Sequence, residues 1–176
     1  MTTPTEPQTH HAAIALGSNL GDRADSIHQA LQALDEHPDI AVQAVSDLIE
    51  TEPLLPQDAG TDAPPPYRYL NGAALLNTAL PPHQLIEAML NIEAGLGRTR
   101  RARWESRIID LDLLLYDQRI INDPPHLLLP HPEMHKRLFV LEPLAQIAPD
   151  LLHPIQQRTI AQLLRICAAA EQSRTI

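Results

Sequence analysis

The chain has 176 residues, a net charge of −9 at pH 7 and a single cysteine, Cys167. One cysteine excludes an internal disulfide framework and suits a reducing cytosol, so a cytoplasmic protein is expected. No window approaches the ~18 consecutive apolar residues of a membrane helix, and the acidic balance argues against general affinity for nucleic acid. A chain of this length can bury roughly 70% of its unfolded surface, enough for a core without staples.

The start, MTTPTEPQTHH, is polar and lacks the basic region of a secretory signal. Residues 1–9 are therefore expected to be a frayed tail and residues 10–176 one domain. HAAIALGS (11–18) has a strand-like pattern and ends in turn residues. Ile27, Ala30, Leu31 and Leu34 recur at helical spacing, which predicts a helix over 22–37 with Pro38 just beyond. IAVQAVSDLIET (40–51) alternates as one strand. The next stretch, 52–68, holds five prolines and a glycine, a long surface loop.

YLNGAALLNTAL (69–80) predicts a strand. Pro81 and Pro82 open a helix, with Leu85, Ile86, Met89, Leu90 and Ile92 as its buried face and Gly95 or Gly97 at its end. An arginine-rich loop, IIDLDLLLYD as a strand and QRIIN as its hairpin partner follow. Helices are expected near 133–147 and 159–170. For residues 11–116 the order is β-α-β-β-α-β, an α+β, ferredoxin-like core. It implies a largely antiparallel sheet with helices packed on one face, followed by a C-terminal hairpin and helical extension.

Residues i and i+2 of a strand share a face, so Asp110 and Asp112 project together while Ile109, Leu111 and Leu113 project to the other side. Two carboxylates on one face repel, and burial raises the cost. A divalent cation removes both problems, and hard oxygen ligands select magnesium with phosphate oxygens completing its shell. Taken alone, a D-x-D on a half-exposed strand is more simply two hydrated side chains. Just before it, however, Arg98, Arg100, Arg101, Arg103 and Arg107 fall within ten positions, five of the thirteen basic residues. Arginine forks match phosphate oxygens. There is no G-x-x-x-x-G-K-[ST] loop; the only lysine is Lys136. GSNLGD (17–22) lies at a strand–helix junction, where backbone amides could meet an anion, although an ordinary turn and cap explains it as well.

Two other motifs carry less. HPEMH (131–135) has histidines four apart, but Pro132 and the displaced Glu133 break the H-E-x-x-H arrangement of a zinc helix. Cys167 sits in an apolar run with no basic neighbour to activate it. Two other classes remain open on the residues alone. One is a magnesium-dependent nucleotidyl or phosphoryl transferase with another acceptor. The other is a non-catalytic ferredoxin-like ligand-binding module.

Five motifs, ETEPL (50–54), YLNGA (69–73), GLGRTR (95–100), RWESRIIDLDLLLY (103–116) and LPHPEMHKRLFVLEPL (129–144), occur in one order along the chain with IALGSNLGD before them. Together they resemble the 6-hydroxymethyl-7,8-dihydropterin pyrophosphokinases of folate biosynthesis, over nearly the whole chain. The resemblance implies transfer of pyrophosphate from ATP to the pterin hydroxymethyl group, releasing AMP, by in-line attack on the β-phosphorus. It implies two magnesium ions on Asp110 and Asp112, with Arg98 and Arg100 acting catalytically from a closing loop. By the same resemblance Glu93, Arg100, Arg103, Trp104, Arg107, Leu113, His131 and Arg137 would contact ATP, Leu113 beside the adenine. Thr51, Glu52, Leu54, Tyr69, Asn71 and Phe139 would hold the pterin, the two aromatics stacking on it. Three of the chain's five aromatic residues (Tyr69, Trp104, Phe139) thus fall on family ligand positions. Glu105, His126, Leu128 and Pro132 depart from the family's usual residues, so the expectations are firmer for phosphate than for adenine and ribose. The implied partners are small molecules, with no nucleic acid or membrane, and a monomer is expected.

Overall fold

The computed structural model describes residues 9–52, 67–97 and 107–173. Strand β1 (His10–Ser18) leads through Gly21, at φ 68°, into helix α1 (Arg23–Asp35). Asp22 caps that helix by accepting from the Asp25 amide, one of the donors a helix start leaves open. Strands β2 (Ile40–Val45), β3 (Ile49–Thr51) and β4 (Tyr69–Thr78), helix α2 (Pro82–Gly95) and strand β5 (Asp110–Tyr116) follow, which is the βαββαβ order with its second strand divided into β2 and β3. The sheet runs β2-β4-β1-β5, with β3 also on β4, and every pairing is antiparallel. This is the expected ferredoxin-like core.

The stretch 40–51 is two strands rather than the one its alternation predicts. Ser46 breaks it: its backbone amide donates to the Ala73 carbonyl and its hydroxyl accepts from the Ala73 amide, replacing ladder bonds. Leu48 then packs onto Gly72, where a Cβ would lie 2.7 Å from the Leu48 Cδ2. Only glycine lets that segment approach β4 so closely.

Helix α2 starts with Pro82 at its first turn, as expected. Its buried stripe is Leu85, Met89 and Glu93, spaced four apart. Leu90, expected in that stripe, is 37% exposed because it lies about 100° round from Met89. Leu85 and Met89 join Ile27, Ala30 and Leu34 of α1 and Leu16, Leu76, Ile109, Leu111 and Leu113 in a core beneath one sheet face.

QRIIN does not pair with β5. Asp117 turns the chain at φ 47°, and its carboxylate accepts from the His11 amide and bonds the His10 ring. The following residues form a separate hairpin, β6 (Ile121–Asp123) with β7 (Leu127–Leu129). Beyond it lie a 3₁₀ turn (Met134–Lys136), α3 (Leu138–Ile147), a small hairpin of β8 (Leu152–His153) and β9 (Arg158–Thr159), and α4 (Ile160–Gln172). The β8–β9 hairpin was not expected. A reciprocal capping box between Thr159 and Gln162 starts α4. Helices α3 and α4 cover the second sheet face, packing Val140, Leu141, Leu144, Ile160, Leu163 and Cys167 against Ala13, Ala73, Leu114 and Leu115. Helices therefore lie on both faces, not one. No helix among the described residues is long and apolar enough to cross a membrane.

Candidate active site

Strand β5 alternates as its sequence requires. Leu111 and Leu113 go down into the α1/α2 core, and Asp110 and Asp112 point to the face that carries α3. Beside Asp110 in the register is Gly17 of β1, and beside Gly17 is Asn71 of β4. A Cβ on Gly17 would sit 3.4 Å from Asn71 Oδ1 and 3.9 Å from Asp110 Cβ. The missing side chain leaves a shallow floor between the amide and the carboxylate.

Asn71 is buried and donates from Nδ2 to Thr51 Oγ1 at 2.7 Å, joining β3 and β4 at the site. That bond leaves the Asn71 carbonyl oxygen as an acceptor toward Gly17. Tyr69, opposite Thr51 in the register, shares this face. Burial raises its phenol pKa, Arg107 opposes that shift, and Asp110 adds to it, which places Tyr69 beside both groups as a neutral hydroxyl.

Arg107 enters the site from a fixed backbone. Its amide donates to Asn19 Oδ1 at 2.6 Å, and the Asn19 amide donates back to its carbonyl at 3.0 Å. Its guanidinium donates to the Asp110 carboxylate. Burial works against the Arg107 charge, but Asp110 outweighs it by charge and hydrogen bond, so the pKa is raised.

On the other side of the pair stand His131 and Arg137. The His131 amide donates to the Leu114 carbonyl at 2.9 Å, tying this segment to β5 where a bulge offsets its pairing with β1. His131 Nδ1 accepts from the Glu133 amide at 3.2 Å, which puts the neutral ring's proton on Nε2. Burial lowers the His131 pKa, with Asp112 resisting and Arg137 assisting. Arg137 lies over Phe139, its Cζ 5.9 Å from the ring centroid. Asp112 feels all of this. Burial and then Asp110 push its pKa up, and His131, Arg107 and Arg137 only partly offset the shift. A cation between these carboxylates would relieve that cost, and hard oxygen donors on one face with no side chain at Gly17 fit magnesium.

Asp110, Asp112, Arg107, His131 and Arg137 are therefore brought together as expected. Tyr69, Asn71 and Thr51 line the Asp110 end, and Phe139 lies under Arg137 at the Asp112 end. Glu52 pairs with Arg68 at the exposed margin. Arg98, Arg100, Arg103, Trp104 and Leu54 lie outside the described residues. Two expected ATP contacts have their side chains on the other side of β5. The Leu113 side chain is 6% exposed in the α1/α2 core, on the face away from the aspartates. Glu93 is 1% exposed, and its Oε1 accepts from the Leu111 amide at 2.7 Å, so it holds the strand from beneath. Two residues were read too blandly. Asn19 clamps Arg107, so its own amide is taken and not open to an anion, and Gly17 forms the floor. Their only sequence signal was a turn motif after a strand.

Fold and site together define an α+β protein with two same-face carboxylates set among cationic side chains. The comparisons make the assignment specific. Residues 13–149 match the family model for 7,8-dihydro-6-hydroxymethylpterin-pyrophosphokinase. The Pseudomonas aeruginosa 2-amino-4-hydroxy-6-hydroxymethyldihydropteridine pyrophosphokinase is 42% identical over 88% of this chain and 90% of its own. The Bacillus subtilis protein of the same name is 43% identical over 80% of this chain and 79% of its own. A crystal structure of wild-type Plasmodium falciparum HPPK-DHPS superposes with a TM-score of 0.71 at 15% identity, over 96% of this chain and 46% of that one. The chain thus spans about half the length of that solved protein, and the likeness supports the fold. The chain belongs to the 7,8-dihydro-6-hydroxymethylpterin-pyrophosphokinase family, whose members transfer pyrophosphate in folate biosynthesis.

Proposed function

We propose that this chain transfers the pyrophosphoryl group of ATP to the hydroxymethyl oxygen of 6-hydroxymethyl-7,8-dihydropterin. The hydroxyl oxygen bonds to the β-phosphorus, the bond from that phosphorus to the α-phosphate's bridging oxygen breaks, and AMP leaves. The observation that carries this reading is two same-face carboxylates ringed by Arg107, His131 and Arg137.

Asp110 and Asp112 would hold magnesium, two ions on this reading, which when bound would neutralise phosphate charge and ease loss of the attacking hydroxyl's proton. Arg107 would exchange Asp110 for a phosphate oxygen without moving its backbone, because Asn19 holds it. His131, with its proton on Nε2, and Arg137 would donate to other phosphate oxygens. Tyr69 and Phe139 would receive the two faces of the flat pterin. Asn71 and Thr51 would meet its amide-like edge. Arg98 and Arg100, with Arg103 and Trp104, would close over the phosphates, so that catalysis is mostly positioning and electrostatics.

The test is incubation with ATP, magnesium and the reduced pterin, followed by chromatography of the nucleotides. AMP should appear in a one-to-one ratio with pterin diphosphate. ADP, or free pyrophosphate with AMP and no pterin diphosphate, would point to a different transferase, and no turnover at saturating substrates would overturn the reading.

A further inference from the structure

Glu93, 1% exposed, is the most deeply buried carboxylate among the described residues. It follows Leu85 and Met89 in the apolar stripe of α2, a place where the core alone would take another apolar side chain. Burying a carboxylate is costly unless hydrogen bonds compensate, so its position calls for a reason outside packing.

One compensating partner lies on β5. This strand is at the edge of the sheet, and on an edge strand alternate amides face away from their neighbour with no ladder partner. The Leu111 amide is given to Glu93 Oε1 at 2.7 Å, and Leu111 is the residue between the two aspartates. The carboxylate does there what a further strand would do, through a charge-assisted bond. Two other bonds fix the same strand. Asn19 holds the backbone of Arg107, three residues before Asp110, and the His131 amide holds the Leu114 carbonyl, two residues after Asp112. Of these, only the Glu93 bond falls inside the D-x-D.

We infer that Glu93 is a positioning residue for the transfer reaction: its buried carboxylate fixes the Leu111 amide so that the Asp110 and Asp112 carboxylates converge on one metal–nucleotide complex. The inference rests on the magnesium–ATP reading of that pair. A shift of about 1 Å in groups that position phosphates costs on the order of 10²-fold in rate, so an anchor at this residue acts directly on turnover.

The two variants to compare are Glu93→Gln, which keeps an oxygen acceptor at the same reach, and Glu93→Leu, which fills the stripe and removes the acceptor. Hydrogen exchange of the Leu111 amide is read first, on the ligand-free protein. It should be slow in the wild type and in Glu93→Gln, and at least about 10-fold faster in Glu93→Leu. With a non-hydrolysable ATP analogue, Mn²⁺ affinity should fall about 10-fold in Glu93→Leu. Its kcat should fall on the order of 10²-fold with the pterin KM nearly unchanged. Glu93→Gln should stay within about 3-fold of wild type in both. Free exchange at Leu111 in the wild type would overturn the inference. So would a folded Glu93→Leu with normal kcat and Mn²⁺ affinity, or a Glu93→Gln as impaired as Glu93→Leu, since that would show a need for charge and not for the acceptor. If Glu93→Leu does not fold, exchange in the wild type and the kcat of Glu93→Gln still decide. The exchange measurement needs no activity, so failure of the wild type to make AMP would sink the proposed reaction separately.

Discussion

The two faces of β5 are built from the same seven residues and do opposite things. Leu111 and Leu113 are each 6% exposed and belong to the dry core under α1 and α2. Asp110 and Asp112, which alternate with them, face a polar surface where burial and mutual repulsion already raise the Asp112 pKa. Strand alternation separates the stable face from the costly one with no intervening structure. Stability and chemistry should then be separable by single substitutions.

The largest effect should come from the polar face. Asp110→Ala and Asp112→Ala should each lower kcat by roughly 10²–10³-fold or more, as removing a group that stabilises developing charge does. Melting temperatures should not fall. Near-normal turnover in either variant, measured by AMP release, would end the distinction between the faces. Leu113→Ala should do the reverse. Truncation of a buried leucine costs about 2–5 kcal/mol, read by urea denaturation, while kcat and the ATP KM per folded molecule stay within a few-fold. A large rise in the ATP KM with unchanged stability would return the Leu113 side chain to the nucleotide.

A smaller effect sharpens the comparison. The folded pKa of Asp112 is raised above its ordinary value, so its ionised form opposes folding. That penalty is fully present at neutral pH and disappears as pH falls through the folded pKa into the ordinary Asp range. Without metal, Asp112→Asn should therefore melt about 2–4 °C higher than wild type near pH 7.5. The gain should vanish on acidification, as calorimetry would show.

The smallest effect lies away from the site. The His153 pKa is lowered by burial and by His135, and its Nδ1 accepts from the Ile155 and Gln156 amides. A lowered histidine contributes stability above its unfolded pKa, near 6.5, that is lost as pH falls from there through the folded value. His153→Asn keeps an acceptor near the Nδ1 position and removes the titration. Its melting temperature should fall less between pH 7 and pH 5 than that of the wild type.

Much of this was readable from local pattern. The βαββαβ order, the Pro82 start of α2 and the shared face of Asp110 and Asp112 follow from periodicity and proline chemistry, which act within a few residues. What was not readable depends on partners distant in sequence. Ser46 ends a strand that alternation would continue because the Ala73 backbone offers it two bonds. QRIIN looks like a partner for β5, but Asp117 is held by His10 and His11, and the chain turns away. Glu93 enters the sequence reading only through the family resemblance, as an ATP contact, because its bond to the Leu111 amide joins residues eighteen positions apart. Asn19 reads as a turn residue until Arg107, eighty-eight positions on, is placed beside it.

The most direct test of the polar face as a metal–nucleotide site is Mn²⁺ titration by electron paramagnetic resonance, with a non-hydrolysable ATP analogue present. Wild-type protein should bind two Mn²⁺ ions per chain, Asp110→Asn and Asp112→Asn should each lose tight binding of at least one, and Leu113→Ala should bind like wild type. Unchanged stoichiometry and affinity in both aspartate variants would contradict the assignment of that face.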